Sequence, residues 1–328
     1  MNWMFYWFAR GWVALLQALP LPVVARIGRA GGAAAWGLDA RHRRVALDNL
    51  RLCFADEMAP AEIRALAREN FRRLGETYCC ALKTAAMSDG AVRGILSVDG
   101  LEKLPRRQAG QSQPPGCVLA IGHFGNFELY ARCGMFAPGG YRFATTYRAL
   151  RQPALNRLMQ SLREKSGCIF FERRTEGEAL KAAMNAGGMF LGLLADQHAG
   201  DKGLRLPFLG HDCSTNAAPA VLALRYDCAL LPAVCYRTGP GRWRVEIGDE
   251  IPTRQNGLAR AVHDIMLDVN RAFEAAVRRD PANWFWVHRR WKTGKWKMPA
   301  AGSPGRGADE RFRSAPTASA GARTGNRP

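Results

Sequence analysis

The stretch AIGHFGNFELY, residues 120–130, contains two side chains suited to acid–base chemistry. His123 precedes Glu128 by five positions, and glycines at 122 and 125 allow a tight turn between an apolar run and a helix. A carboxylate early in that helix can accept a hydrogen bond from one imidazole nitrogen, which leaves the other nitrogen free to take a proton. The spacing alone leaves open the alternative of a structural loop histidine and a helix-capping glutamate.

Polar residues also follow two other apolar runs of strand length. Arg148 comes directly after YRFATTY, and Asp196 comes directly after MFLGLLA, as His123 comes after CVLAI and one glycine. Functional groups in a parallel α/β sheet collect beyond the carboxyl ends of its strands. We therefore predict that a base, a cation and a carboxylate meet at one edge of the sheet.

Several other catalytic devices are absent from the sequence. It contains neither the G-x-S-x-G turn of serine hydrolases nor the G-x-x-x-x-G-K-[ST] loop of nucleotide hydrolases. Asp196, His198 and Asp201 are metal-ligand types, but no second histidine stands at helical spacing, so we expect no metal site.

The pattern from residue 116 onward predicts an α/β fold. The predicted strands are CVLAI (117–121), YRFATTY (141–147), CIFF (168–171), MFLGLLA (189–195) and ALLPAVCY (229–236). Most are too apolar to have one face in water, and helical patterns intervene, which is typical of a largely parallel mixed sheet flanked by helices. RWRVEIGDEI alternates apolar and polar residues and is predicted to be an outer strand. Amphipathic helices are predicted at 63–82 and 258–277.

Composition limits the partners and the compartment. The net charge of +19 and the pI of about 10.2 predict anionic partners, whether nucleic acid, anionic lipid or an acidic protein. An apolar content of 48% supports a sizeable core and excludes a largely disordered chain. The nine cysteines are an odd count and form no C-x-x-C pair, so we expect buried, reduced thiols in a protein facing the cytoplasm.

The predicted organisation is one α/β domain, residues 25–297, between two unlike ends. Residues 1–24 are apolar and rich in tryptophan but contain Arg10 and two prolines. They are predicted to be a membrane-associated helix, interfacial or transmembrane, with a buried helix as the alternative. Residues 298–328 contain almost no large apolar side chain and are predicted to be a disordered tail.

Four ordered blocks of the sequence carry a family resemblance. They are GHFGNFE, with His123 and Glu128; YRALRQPALNRLMQSLREKSG, with Arg148 and Arg163; GGMFLGLLADQHAGDKGLRLPFLGHDCSTNAAPAVLAL, with Asp196; and PANWFWVHRRWKT. Together they resemble the lipid A late acyltransferases, the lauroyl and myristoyl transferases of the lysophospholipid acyltransferase superfamily. The glutamate of the first block is typical of the lipid A branch, and the likeness extends to about residue 297.

This resemblance implies transfer of a fatty acyl group from acyl-carrier protein, or from acyl-CoA, to a hydroxyl of a lipid A precursor. His123 and Glu128 are then the catalytic residues: His123 deprotonates the hydroxyl, and Glu128 holds the imidazole. Arg148 and Arg163 bind phosphate or developing negative charge, and Asp196 positions the site or the substrate. Neither a cofactor nor a metal is implied.

The resemblance also implies partners and a location. These are acyl-carrier protein, the anionic lipid A precursor and the cytoplasmic face of the cell inner membrane, without nucleic acid. The segment NWFWVHRRWKTGKWK is expected at headgroup depth, or alternatively in the core. Three alternatives remain open: an acyltransferase for another glycolipid, aminolipid or lysophospholipid; a basic nucleic-acid-binding protein; and an inactive protein with the acyltransferase fold.

Overall fold

A computed structural model describes residues 2–137, 139–150 and 152–292 of the chain. The predicted tail, 298–328, and the last residues of the predicted 25–297 domain lie outside the described residues. The α-helices of the described part are α1 (Asn2–Ala18), α2 (Leu21–Leu38), α3 (Ala40–Phe54), α4 (Pro60–Thr84), α5 (Asp89–Arg93), α6 (Pro153–Arg163), α7 (Gly177–Asn185), α8 (Ala218–Arg225) and α9 (Val262–Arg279). Short 3-10 helices cover Leu101–Lys103, Phe127–Phe136, Glu164–Ser166 and Pro281–Asn283.

Most of the strands belong to one mixed sheet. The strands are β1 (Leu96–Asp99), β2 (Cys117–Ile121), β3 (Arg142–Tyr147), β4 (Ile169–Glu172), β5 (Met189–Leu194), β6 (Leu204–Phe208), β7 (His211–Thr215), β8 (Ala229–Gly239), β9 (Arg242–Ile247), β10 (Arg254–Gln255) and β11 (Leu258–Ala259). Seven of them are ordered β1-β9-β8-β2-β5-β3-β4, while β6 pairs with β7 and β10 with β11. Strands β8, β2, β5, β3 and β4 are mutually parallel, β9 is antiparallel to β8, and β1 is parallel to β9. The predicted α/β class with a largely parallel mixed sheet is confirmed.

The prediction that RWRVEIGDEI forms an outer strand is wrong. Strand β9 lies between β1 and β8, so β1 is the edge strand on that side. The alternation has a different cause, because Trp243, Val245 and Ile247 point into the core while Arg242 and Arg244 are exposed on the other face. Alternation of apolar and polar residues indicates that one face of the strand is exposed, and it does not indicate whether a neighbouring strand is present.

The central strands are apolar because both faces of the sheet are covered. All five residues of β2 are buried. Val118 and Ala120 belong to the core on one face, whereas Leu119 and Ile121 belong to the core on the other. This double burial explains why the sequence shows continuous apolar runs here instead of alternation. The nine cysteines are unpaired and six of them are buried, as expected.

Helices α2 and α4 pack at very short range against each other. A Cβ at Gly28 would lie 2.5 Å from the Gly75 carbonyl oxygen, and one at Gly32 would lie 2.1 Å from that of Phe71. Next to this contact, the buried Glu76 accepts hydrogen bonds from the Arg237 side chain and from a backbone N–H at the β8–β9 turn. The N-terminal helices are thereby fixed to the sheet.

The two predicted amphipathic helices are present, with shifted ends. Helix α4 contains the whole of the predicted 63–82 segment. Helix α9 begins at Val262, later than the predicted start at 258, because residues 258–259 pair in β11. None of the described helices is both long enough and apolar enough to cross a membrane.

Candidate active site

Strand register places His123 next to Asp196. Strands β2 and β5 are parallel neighbours, and Ile121 pairs with Leu194. The Ala195 N–H donates to the Ile121 carbonyl oxygen at 3.0 Å, so the two chains leave the sheet side by side. Because His123 and Asp196 each lie two residues beyond the Ile121–Leu194 pair, the histidine and the aspartate face each other.

Three hydrogen bonds join Asp196 to its surroundings. His123 Nδ1 lies 2.8 Å from Oδ1, the His123 backbone N–H donates to Oδ2 at 2.7 Å, and the Trp284 indole N–H donates to Oδ2 at 2.8 Å. The Asp196 side chain is completely buried. Burial acts to raise the pKa of this carboxyl, but electrostatic attraction to the His123 ring and the three hydrogen bonds outweigh it, so the pKa is lowered from its usual value. The group is therefore an ionised acceptor at neutral pH.

The orientation of the His123 ring follows from this partner. An ionised carboxylate can only accept, so Nδ1 carries the proton and Nε2 carries the free lone pair. The Phe127 and Phe285 rings lie 5.0 and 5.7 Å from the imidazole, centroid to centroid, and restrict its rotation. The His123 side chain is 15% exposed and lines a cleft of about 890 Å³, so it is placed to act as a base toward a bound group.

The predicted hydrogen bond between Glu128 and His123 is not formed. Instead, the Glu128 carboxylate accepts from Arg163, at 2.8 Å from Nη2 and 3.3 Å from Nε. Two causes are visible. Asp196 already occupies the Nδ1 side of the imidazole, and Arg163, in the last turn of α6, approaches Glu128 from the other side. The carboxylate that orients His123 comes from the neighbouring strand.

The loop between His123 and Glu128 is tightly constrained. Gly125 has φ +48°, and a Cβ there would lie 2.6 Å from the Cys235 carbonyl oxygen. The Gly125 N–H donates to the Asn283 carbonyl oxygen at 3.0 Å, and Phe124 forms an isolated antiparallel bridge with Trp284. Glycine is required at 125 both for its backbone angle and for lack of space.

Arg163 is held on three sides. Its guanidinium lies 5.2 Å from the Phe170 ring centroid and 5.8 Å from that of Tyr147, in addition to the ion pair with Glu128. The side chains of Arg163 and Glu128 are 21% and 26% exposed. Within the described residues, no hydrogen bond involves Arg163 Nη1, so its N–H groups remain available to a ligand in the cleft.

A cleft of about 890 Å³ brings most of the predicted residues together. His123, Glu128, Arg148 and Arg163 all line it, and Asp196 lies buried behind His123. Arg148 is exposed at the rim, directly after β3. The remaining wall is largely apolar and includes Leu82, Phe127, Met159, Leu180, Leu193 and Leu222. Such a cleft can hold an acyl chain and a polar reacting group together.

The expectation that the NWFWVHRRWKTGKWK segment lies at headgroup depth is wrong for Trp284, Trp286 and Arg290. Trp284 and Trp286 are 1% and 0% exposed, and Arg290 is 0% exposed. The Arg290 guanidinium donates to the carbonyl oxygens of Gln197 and Ser214, at 2.9 and 2.6 Å. These three residues belong to the core, and Trp284 supports the site through its hydrogen bond to Asp196. Residues 293–297 of the segment lie outside the described residues.

His288 is a further site residue to which sequence reasoning assigned no role. Its Nε2 accepts the His198 backbone N–H at 2.9 Å, and both residues line the cleft. Burial lowers the pKa of His288 to about 4, so the ring is neutral at pH 7 and can serve as an acceptor. Its position in the block PANWFWVHRRWKT was the signal available. Among the described residues, no cluster of His, Cys, Asp or Glu has an arrangement suited to binding a metal ion.

Comparison with known proteins identifies the family of the chain. Residues 1–293 match the model of a family described as bacterial lipid A biosynthesis acyltransferase. The chain is 29% identical to the lipid A biosynthesis palmitoleoyltransferase of Escherichia coli K12, over 88% of this chain and 90% of that protein. It is 26% identical to the E. coli lipid A biosynthesis lauroyltransferase, over 88% and 91%. A phosphatidylinositol mannoside acyltransferase of Mycolicibacterium smegmatis is 26% identical, over 64% of this chain and 67% of that protein. The chain is an acyltransferase that belongs to the bacterial lipid A biosynthesis acyltransferase family.

Proposed function

We propose that this enzyme transfers a fatty acyl group from the thioester of acyl-carrier protein to a hydroxyl of a lipid A precursor. The observation that carries this proposal is the His123–Asp196 pair, with a 2.8 Å hydrogen bond, in the wall of a cleft with apolar sides. Relatives along most of the chain are named for acyl transfer in lipid A biosynthesis. A base next to an apolar cleft is what an acyl acceptor hydroxyl and a long acyl chain require.

His123 acts as the general base. Its Nε2 takes the proton from the acceptor hydroxyl as the hydroxyl oxygen attacks the thioester carbonyl carbon. Asp196 stabilises the imidazolium that forms, because its buried carboxylate accepts the Nδ1 proton in both states. Aromatic contacts from Phe127 and Phe285 keep the ring in this orientation throughout.

The tetrahedral intermediate then collapses to products. A C–O bond has formed to the acceptor, and the carbonyl oxygen carries a negative charge. Collapse breaks the C–S bond, and the departing thiolate takes the proton from Nε2 of His123, which restores the neutral base. Atoms and charges balance with no covalent enzyme intermediate and no cofactor. Acyl-CoA has the same thioester and can replace acyl-carrier protein as donor in this scheme.

Arg163, Glu128 and Arg148 bind charge. Glu128 holds Arg163 through Nε and Nη2, and the Nη1 N–H groups of Arg163 face the developing oxyanion or a substrate phosphate. Glu128 is thus a positioning residue for a cation, and its catalytic effect is exerted through Arg163. Arg148, exposed at the cleft rim, binds a phosphate of the substrate.

Helix α1 attaches the enzyme to the cytoplasmic face of the inner membrane. Its side chains Met4, Phe8 and Leu15 are 70%, 75% and 50% exposed, which is a large apolar surface to leave in water. The helix has 17 residues, or about 25 Å, whereas the hydrocarbon core is about 30 Å thick. An interfacial position fits these dimensions. The net charge of +19 then serves an acidic carrier protein and anionic lipid, and it needs no nucleic acid.

The test is acyl transfer with defined substrates. Membranes containing the full chain are incubated with acyl-carrier-protein thioester and tetra-acylated lipid A precursor, and the products are analysed by mass spectrometry. We expect one added acyl chain on the precursor, which is lost in His123→Ala and retained in His263→Ala, a histidine exposed on α9. A precursor that gains no acyl chain with the unmodified enzyme would contradict the proposed function.

A different glycolipid is the second candidate acceptor. The similarity to the mycobacterial phosphatidylinositol mannoside acyltransferase favours it, although that match covers less of the chain than the lipid A relatives do. A parallel incubation with a phosphatidylinositol mannoside separates the two. Acylation of this lipid in place of the lipid A precursor would mean that the enzyme uses the same His123 chemistry on a different acceptor.

A further inference from the structure

A second histidine, His198, lies beside the His123–Asp196 pair in the loop that follows β5. It comes two residues after Asp196, and it lines the cleft together with His123 and His288. Burial lowers the pKa of His288 to about 4, and the nearby His123 and His198 rings act in the same direction. The three imidazoles are therefore close neighbours, yet acyl transfer as proposed gives His198 no role.

Two hydrogen bonds fix the position and the tautomer of His198. Its backbone N–H donates to His288 Nε2 at 2.9 Å, and its own Nδ1 accepts the Gly200 N–H at 2.9 Å. A ring nitrogen that accepts a hydrogen bond carries no proton, so the proton of this imidazole is on Nε2. His198 thus has the tautomer opposite to that of His123, and its Nε2 is a donor where the Nε2 of His123 is an acceptor.

The loop on both sides of His198 is held by the interior. The buried Arg290 guanidinium donates to the carbonyl oxygens of Gln197 and Ser214, at 2.9 and 2.6 Å. The Ala199 N–H donates to the same Ser214 carbonyl oxygen at 3.2 Å. A donor on a loop that is fixed in this way needs no rearrangement during a reaction, which is the property required of a group that stabilises a transition state.

The Nε2 N–H of His198 has no partner within the protein. Nε2 is shielded from solvent, and in the part of the chain that the structure describes no atom accepts a hydrogen bond from it. Buried polar groups without a partner are uncommon because each one costs free energy of folding. An oxygen of a substrate in the cleft would supply the missing acceptor.

The chemistry of acyl transfer indicates which oxygen this is. Two substrate oxygens come together at His123: that of the attacking hydroxyl and that of the thioester carbonyl. A donor to the hydroxyl oxygen would engage the lone pair that forms the new bond and would slow the attack. The carbonyl oxygen instead gains negative charge as the tetrahedral intermediate forms, so a donor there stabilises the transition state more than the ground state.

We propose that the Nε2 N–H of His198 donates a hydrogen bond to the oxyanion of the tetrahedral intermediate. The inference rests on the proposed acyl transfer, and it gives the oxyanion a donor beside His123 in addition to Arg163. No proton moves to or from His198. Its hydrogen bond strengthens as the C–O bond forms and weakens again when the C–S bond breaks and the carbonyl is restored.

Two substitutions separate this role from a structural one. Asparagine places its amide oxygen near the position of Nδ1, so His198→Asn can still accept the Gly200 N–H but has no donor near Nε2. Glutamine places its amide nitrogen near the position of Nε2, so His198→Gln retains a donor and loses the contact to Gly200. If the N–H serves the oxyanion, His198→Asn lowers kcat by about 10²- to 10³-fold while KM changes less than about three-fold. His198→Gln should then stay within about ten-fold of the unmodified kcat.

The control is His263→Asn, an exposed histidine on α9, which should retain the unmodified rate. If His198 only supports the loop, the order is reversed: His198→Gln, which loses the Gly200 contact, is the more damaged variant, and His198→Asn is nearly normal. That order, with both variants folded by thermal unfolding, would overturn the proposal.

A binding measurement tests the same hydrogen bond without turnover. The monomethyl ester of octylphosphonate has a charged tetrahedral centre like that of the intermediate, whereas N-methyloctanamide is planar and neutral. Each is titrated by calorimetry into the full chain in the same detergent micelles. His198→Asn should weaken binding of the phosphonate about ten-fold or more and that of the amide less than about two-fold.

The two levels of inference fail separately. Equal binding of the phosphonate by His198→Asn and the unmodified enzyme would contradict the oxyanion contact, whatever the acceptor of the reaction is. Absence of acyl transfer by the unmodified enzyme, with phosphonate binding that still depends on His198, would contradict the proposed function alone.

Discussion

Replacing Asp196 with asparagine should prevent His123 from acting as a base while leaving both side chains in place. Oδ2 of Asp196 accepts two N–H groups, from the His123 backbone at 2.7 Å and from Trp284 at 2.8 Å, whereas Oδ1 accepts only His123 Nδ1. Asparagine has a single acceptor oxygen. The orientation that satisfies both N–H groups puts this oxygen at the Oδ2 position and the amide NH₂ against Nδ1.

That amide can only donate to Nδ1, so the neutral ring of His123 must carry its proton on Nε2. Nε2 is the nitrogen that has to accept the substrate proton, and it is then blocked. We expect kcat to fall by about 10⁴-fold, the scale seen when the carboxylate behind a catalytic histidine becomes an amide. At about 1.4 kcal/mol per factor of ten, this corresponds to about 5 kcal/mol of lost transition-state stabilisation.

The assay is the initial rate of acyl transfer from acyl-carrier protein to the lipid A precursor, with thermal unfolding to check that the variant is folded. Asp201→Asn, an exposed carboxylate five residues away, is the matched control and should retain the unmodified rate. Nitrogen-15 NMR of His123 reports the tautomer directly. A folded Asp196→Asn enzyme that retains more than a tenth of the rate would refute the assignment of Asp196 as the orienting carboxylate.

Three other changes have measurable consequences. Burial lowers the pKa of His288 to about 4 from 6.5, so the unfolded chain takes up a proton as pH falls through this range while the folded chain does not. The contribution of His288 to the free energy of unfolding is thus fully present above about pH 6.5 and is lost as the pH falls toward 4. The glutamine of His288→Gln can still accept the His198 N–H but does not titrate. Between pH 7 and 4.5, the free energy of unfolding in urea should therefore fall by about 2 kcal/mol less in this variant than in the unmodified protein. Gly125→Ala should destabilise the protein by about 2 kcal/mol or more, because φ is +48° and the new Cβ lies 2.6 Å from the Cys235 carbonyl oxygen. Phe8→Asp should weaken binding to anionic vesicles about ten-fold or more in a sedimentation assay, because a 75% exposed apolar side chain on α1 is lost.

Each of these changes has a control on the same chain. His263→Gln alters an exposed histidine, and it should leave the pH dependence of unfolding as it is. Gly110 also has positive φ, at +85°, but no atom lies within 4 Å of its added Cβ, so Gly110→Ala separates backbone strain from collision. Leu38→Asp changes an 86% exposed leucine at the end of α2. The prediction for His288 is wrong if the stability of His288→Gln depends on pH as that of the unmodified protein does. The prediction for Gly125 is wrong if Gly125→Ala lowers the free energy of unfolding no more than Gly110→Ala. The prediction for α1 is wrong if Phe8→Asp binds vesicles as tightly as the unmodified protein.

Local patterns were sufficient to predict six of the seven strands of the main sheet, but not β1 and not the order of the strands. CVLAI and MFLGLLA were recognisable as strands because burial on both faces demands continuous apolar runs. Their adjacency was not encoded in either run, and it depends on how the intervening segments pack. The predicted partner of His123 was therefore the carboxylate nearest in sequence, Glu128, although Asp196, 73 residues later, is the one that the register brings to Nδ1.

The location of the NWFWVHRRWKTGKWK segment also could not be predicted from local sequence. Tryptophan mixed with arginine is typical of membrane interfaces, and composition cannot distinguish that setting from a buried one. Trp284 can be buried because its indole N–H donates a hydrogen bond to Asp196. Arg290 can be buried because its guanidinium donates hydrogen bonds to three acceptors in the interior. Partners that lie more than 70 residues away along the chain decide both cases.

The most direct test of the central claim is the rate of acyl transfer by His123→Ala. The unmodified enzyme, His123→Ala and His263→Ala are compared with saturating acyl-carrier-protein thioester and tetra-acylated lipid A precursor. If His123 is the base, its removal lowers kcat by about 10²- to 10⁴-fold while His263→Ala retains the full rate. Undiminished transfer by a folded His123→Ala enzyme would contradict the account, because no other group in the proposed mechanism accepts the hydroxyl proton.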